Sequence, residues 1–140
     1  GFGYRGKQLF KLMSGIDFYN IVAIADKCAI QYPHNVAFYQ GSDAYVRMID
    51  EHRPDLVVVT SPWHLHVEQS MACVERGCDV ALEIKGGLAM GEYDPLIRLA
   101  HQKGRKIYPM ENTLLSAWPT KACWATLYIC VAAIVTICAI

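Results

Sequence analysis

The chain opens on Gly1-Phe2-Gly3-Tyr4-Arg5-Gly6, three glycines at the spacing G-x-G-x-x-G. A helical pattern follows at once, then an apolar run that ends in Asp26, twenty residues after Gly6. A glycine turn, a helix, a strand and an acid in that order can hold a dinucleotide. Gly1 would make the tight turn out of a strand. Gly3, lacking a side chain, would let a pyrophosphate approach the backbone, and Gly6 would let helix and strand pack closely. Tyr4 and Arg5 begin the helix, whose free N–H groups and partial positive charge suit phosphate. Asp26 would accept hydrogen bonds from ribose hydroxyls. Its charge disfavours a 2′-phosphate and so prefers NAD to NADP, a preference that the neighbouring Lys27 weakens. The competing reading is a glycine-rich turn without a ligand.

Two further groups could do chemistry. Thr60-Ser61-Pro62 follows the apolar run D-L-V-V-V, which places small hydroxyls and a proline where a nicotinamide ring would pass. His64 and His66 come next, but no third ligand accompanies them, so no metal is expected. His66 has a capping or packing role as its plain alternative. Glu83 and Lys85 flank Ile84, and in a continuing strand they point the same way. Lys85 could hydrogen-bond a reacting oxygen and stabilise negative charge on it, which makes it the catalytic candidate. The alternative there is a surface ion pair of little value.

Positioning these residues requires strands that end where they sit. Tyr19–Ala25, Val36–Tyr39, Asp55–Thr60, Asp79–Glu83 and Lys106–Met110 are apolar runs suited to strands. Helical patterns lie between them. Tyr4–Met13 carries Leu9, Phe10, Leu12 and Met13, and Ser42–His52 starts with Ser42 as its cap. Trp63–Arg76 stops at Gly77, and Gly91–Gln102 stops before Gly104 with Pro95 in its first turn. Strands alternating with helices predict an α/β fold, a Rossmann-type parallel sheet with helices on both faces. That sheet is incomplete, because its first strand should precede Gly1.

Thirteen Lys and Arg balance thirteen Asp and Glu, which excludes a generally basic nucleic-acid binder. At 54% hydrophobic and 19% charged residues, the chain is not disordered. All the charge lies before residue 122. Ala122 to Ile140 is an uncharged apolar tail, broken only by Thr126 and Thr136. The six cysteines show no C-x-x-C and no zinc spacing, so the body reads as a reduced, cytoplasmic protein. An export signal would have to lie upstream of Gly1.

The stretches G-F-G-Y-R-G, I-V-A-I-A-D, D-L-V-V-V-T-S-P-W-H-L-H, G-C-D-V-A-L-E-I-K and Y-P-M-E-N-T carry a family resemblance over Gly1 to Leu114. The body resembles the nucleotide-binding domain of the glucose–fructose oxidoreductase / inositol dehydrogenase (Gfo/Idh/MocA) family. The resemblance implies a domain over residues 1–114 that binds NAD or NADP, and a separate domain that holds a sugar, polyol or related substrate. It implies that Pro62 and His66 match the family's strand-end Pro and His. It also implies that Lys85 contacts the substrate hydroxyl, although the family's Glu-Lys-Pro has become Glu83-Ile84-Lys85-Gly86 here. Glu111 and Asn112 would lie on the nicotinamide side. Some relatives are glycosidases that use NAD transiently, and relatives often pair through the absent domain.

Residues 115–140 fall outside the resemblance. The expectation is an out-of-frame tail, because one permitted set of codons, read one base earlier, gives a charged peptide like the family's own continuation. A membrane helix is the rival reading, since nineteen residues span about 28 Å.

Overall fold

The structure, a computed structural model, describes residues 1–83, 89 and 91–110. The expectations for Lys85, Glu111, Asn112 and the tail fall outside the described residues. The element order is α1 (Tyr4–Ser14), β1 (Ala23–Asp26), β2 (Ala37–Gln40), α2 (Ala44–His52), β3 (Leu56–Val59), a 3-10 turn (Trp63–Leu65), α3 (His66–Glu75), β4 (Asp79–Glu83), α4 (Asp94–Lys103) and β5 (Ile107–Met110). All strand pairings are parallel, β1 with β2 and β4 with both β3 and β5. This is a partial Rossmann-type α/β fold.

Burial follows the sequence pattern. The first four residues of β4 are all buried, as the middle strand of three must be when both its faces are covered. Val57, Val59, Val80 and Leu82 form the main core with Ile49 of α2, Cys73 and Val74 of α3, and Leu96 of α4. A smaller cluster joins Phe2, Ile24 and Val36, with Phe10 of α1 meeting Phe2 edge-on. Burial pushes the Cys73 thiol up to about 12 and that of Cys78 up to about 11, so both act as small apolar residues.

Two local expectations need adjustment. Helix α2 is preceded by Asp43, not Ser42, and no side chain caps it. Leu12 is 63% exposed, because α1 buries the stripe through Gly6 and Leu9 and leaves Leu12 off it. Helix α2 ends on Arg53 at φ 45°, a left-handed position that non-glycine residues adopt only at a cost. Gly104 (φ 63°) closes α4 in the same conformation without that cost.

Among the described residues the strands form two separate sheets. β1 and β2 form one pair, β3, β4 and β5 another group, and no ladder joins β1 to β3. A cavity of about 380 Å³ lies between them, lined by residues 20–25 on one side and 55–60 on the other. Leu9, Phe10 and Met13 of α1 and Tyr45 and Met48 of α2 also face it. One parallel strand in that gap would restore the order β2-β1-strand-β3-β4-β5.

Candidate functional site

Gly1 and Phe2 bridge this gap at the carboxyl ends of the strands. The Phe2 N–H donates to Asp26 Oδ2 at 2.6 Å, at the end of β1. The Thr60 hydroxyl donates to the Gly1 carbonyl at 2.6 Å, just past the end of β3. The turn is thereby pinned to both sheets, in the crevice at the carboxyl ends of β1 and β3. In open α/β sheets, ligands bind in that crevice.

Helix α1 starts from this bridge. Gly3 precedes its first turn, no side chain caps that turn, and no acid lies in it. The first-turn N–H groups are therefore available to an anion. A Cβ on Gly3 would meet nothing within 4 Å, so the space above the turn is open. A Cβ on Gly6 would come 2.5 Å from the Gly1 carbonyl oxygen and 3.1 Å from Thr60 Oγ1. Gly6 thus sets how closely the helix approaches the bridge, as its place in the motif predicts. Tyr4 is exposed at the mouth, and so is Lys27. This cradle fits a diphosphate, with backbone donors facing an uncrowded space.

Asp26 is fixed from two directions. Besides Phe2, the Cys28 N–H donates to Oδ1 at 2.9 Å. Desolvation pushes its pKa up, but the Cys28 and Phe2 donors, the Gly1 amino group and Lys27 outweigh it and hold the carboxyl below its usual range. Each carboxylate oxygen keeps further acceptor capacity, which two ribose hydroxyls could use. The sign of the pH effect follows. A lowered folded-state pKa adds stability above the unfolded value, and that stability is lost as pH falls through the folded value. Below about pH 4 the wild type should therefore lose stability more steeply than Asp26→Asn, compared by urea midpoints over pH 2.5–6. Parallel curves for the two proteins would contradict the bonding described for Asp26.

The second half of the crevice is built by the turn after β3. Pro62 begins the 3-10 turn and accepts from the Leu65 N–H at 2.9 Å. His66, fully buried, donates from Nε2 to the Ser61 carbonyl at 2.8 Å. That bond ties His66 to the turn that borders the crevice. His66 Nδ1 and the Ser61 and Ser70 hydroxyl oxygens are buried without a hydrogen-bond partner. Glu83, at the end of β4, forms an ion pair with Arg5 of α1. The structure thus gathers Gly1, Gly3, Tyr4, Arg5, Gly6, Asp26, Lys27, Thr60, Ser61, Pro62 and Glu83 around one edge.

Sequence reasoning missed several of these contacts. The bond from Asp26 to the Cys28 N–H is a local i to i+2 pattern open to an Asp before a turn. The Arg5–Glu83 pair spans 78 residues and leaves no local signal. Among the described residues, no group of three or more His, Cys, Asp or Glu could hold a metal ion. No described helix is long and apolar enough to cross a membrane.

A family model described as an oxidoreductase family with an NAD-binding Rossmann fold (GFO_IDH_MocA) matches residues 1–110. Myo-inositol 2-dehydrogenase from Lactobacillus plantarum superposes with a TM-score of 0.71 at 18% identity, over 92% of this chain and 39% of that one. The yvaA protein of Bacillus subtilis, described as an oxidoreductase, gives 0.67 at 25% identity over 78% of this chain and 32% of that one. A glycosyl hydrolase family 109 protein from Solibacter usitatus is 25% identical over 126 residues, 80% of this chain. The chain spans 29% of that relative's length.

Proposed function

The chain belongs to the Gfo/Idh/MocA oxidoreductase family as an NAD-binding Rossmann domain, and from that premise we propose that it binds NAD in preference to NADP for a longer redox enzyme. The observation that carries the preference is Asp26, held ionised by two backbone donors beside the cradle. A 2′-phosphate there would bring negative charge against a carboxylate that cannot easily protonate or turn away.

In a longer enzyme built on this domain, hydride would pass between a sugar or polyol carbon and the nicotinamide. The bound dinucleotide supplies the hydride chemistry, and the protein orients it. Gly1, Gly3 and Gly6 hold the diphosphate, and Asp26 holds the adenosine ribose. Thr60, Ser61 and Pro62 border the nicotinamide, with His66 fixing their turn. The family resemblance would give Lys85 the substrate hydroxyl and Asn112 the nicotinamide side. The family match ends at residue 110, which supports a domain boundary near Leu114 and a tail, 115–140, outside the nucleotide-binding unit. The free cysteines Cys28, Cys73 and Cys78 support a cytoplasmic setting.

The test is a paired titration with NADH and NADPH. NADH should bind at least about tenfold tighter, and Asp26→Ala should narrow that ratio mainly by weakening NADH. Equal affinities in the wild type, or a ratio unchanged in Asp26→Ala, would remove Asp26 from the site. Alone, the chain should show no sustained oxidation of polyols or sugars with NAD. Steady NADH production would show that it needs no second domain.

A second reading is supported by the Solibacter relative, described as a glycosyl hydrolase family 109 protein. In that case the same cradle holds NAD for transient oxidation with no net change in its redox state. A longer form that releases sugar without accumulating NADH would favour it.

A further inference from the structure

The Arg5–Glu83 ion pair joins the first turn of α1 to the end of β4, so its partners belong to two separate parts of the fold. Arg5 sits in the first turn of α1, so its backbone is part of the phosphate cradle. Glu83 ends β4, two residues before Lys85. The guanidinium side chain is 33% exposed and the carboxylate 14%, so the pair is partly shielded from water. Its remaining donors include an Nη1 contact to Gln8 Oε1 at 3.4 Å, long enough to be weak.

We propose that this pair is a latch that a bound diphosphate opens. The inference rests on the nucleotide reading and deepens it. A diphosphate at the α1 N-terminus carries more negative charge than one carboxylate and presents paired oxygens that match a guanidinium fork. It competes with Glu83 for Arg5. When Arg5 turns to the phosphates, its ion pair with Glu83 at the end of β4 opens. Filling the cradle is thereby coupled to the carboxylate at the end of β4. By reciprocity, anything that holds Glu83 away from Arg5 strengthens diphosphate binding.

ADP tests this, because it carries the diphosphate but has no second ribose or nicotinamide for Glu83 to touch. With the full chain, Glu83→Gln should bind ADP about two- to fivefold tighter than wild type, the range for releasing a partly exposed ion pair. In the Arg5→Met background the same Glu83 substitution should change ADP affinity by less than about 1.5-fold, since no latch remains. A purely structural role for Glu83 would weaken binding in both backgrounds. Unchanged or weaker ADP binding in Glu83→Gln, with its circular dichroism like wild type, removes the latch and leaves the nucleotide reading standing. If Glu83→Gln fails to fold, Glu83→Ala and Glu83→Asp are read in the same cycle, and equal effects in both Arg5 backgrounds overturn the latch. Wild type that binds neither ADP nor NADH overturns the nucleotide reading and the latch with it.

Discussion

Gly3→Ala is expected to fold as well as wild type and to bind NADH at least about tenfold more weakly, a loss of about 1.4 kcal/mol or more. Gly3 has φ −70°, which alanine adopts without strain, and its Cβ would touch nothing in the empty protein. The added methyl instead stands where a diphosphate must approach the first-turn N–H groups. Gly6→Ala should behave differently. Its Cβ would overlap the Gly1 carbonyl oxygen, a backbone atom already tied to Thr60, so the helix must move away from the bridge. That substitution should cost about 1–3 kcal/mol of stability and lose binding as well. Thermal melts and NADH titrations of the two variants check the contrast. A destabilised Gly3→Ala, or one that binds NADH normally, would mean that the open face of this turn is not the diphosphate site.

The largest gain in stability should come from filling the gap between β1 and β3. Extending the chain ahead of Gly1 by about five β-branched apolar residues would supply a strand of ordinary length. It would pair with β1 on one side and β3 on the other, and bury its side chains against Leu9, Met13 and Met48. Burial is worth about 1.5–3 kcal/mol per apolar side chain, and ordering each residue costs about 1–2 kcal/mol. A net gain of about 2–4 kcal/mol is expected. Urea midpoints measure it. A matched extension with proline at its centre should give little, because proline cannot donate to a central ladder. Equal midpoints for the two extensions would show that the gap is not a strand site.

These two expectations mark what the sequence made legible. The five strands fall where short apolar runs end at turn residues, with β4 matching its predicted bounds. Gly6 lies against the Gly1 carbonyl and Asp26 bonds the Phe2 N–H, both at the edge that their spacing pointed to. Other features depend on packing between distant segments. Neither the Arg5–Glu83 pair nor the Thr60 bond to Gly1 has a periodic signal, and each forms only once the strand ends are side by side. His66 could be read from sequence as a site residue or a core residue. Its complete burial and its bond to Ser61 tie it to the turn that borders the crevice, a contact the sequence pattern does not encode.

Calorimetric titration of the full chain with NADH, beside Gly3→Ala, tests the central claim most directly. The account predicts saturable binding of one NADH per chain, lost or weakened by at least about tenfold in a variant that melts at the wild-type temperature. A folded chain that takes up no NADH, or a Gly3→Ala variant that binds it as tightly as wild type, would contradict it.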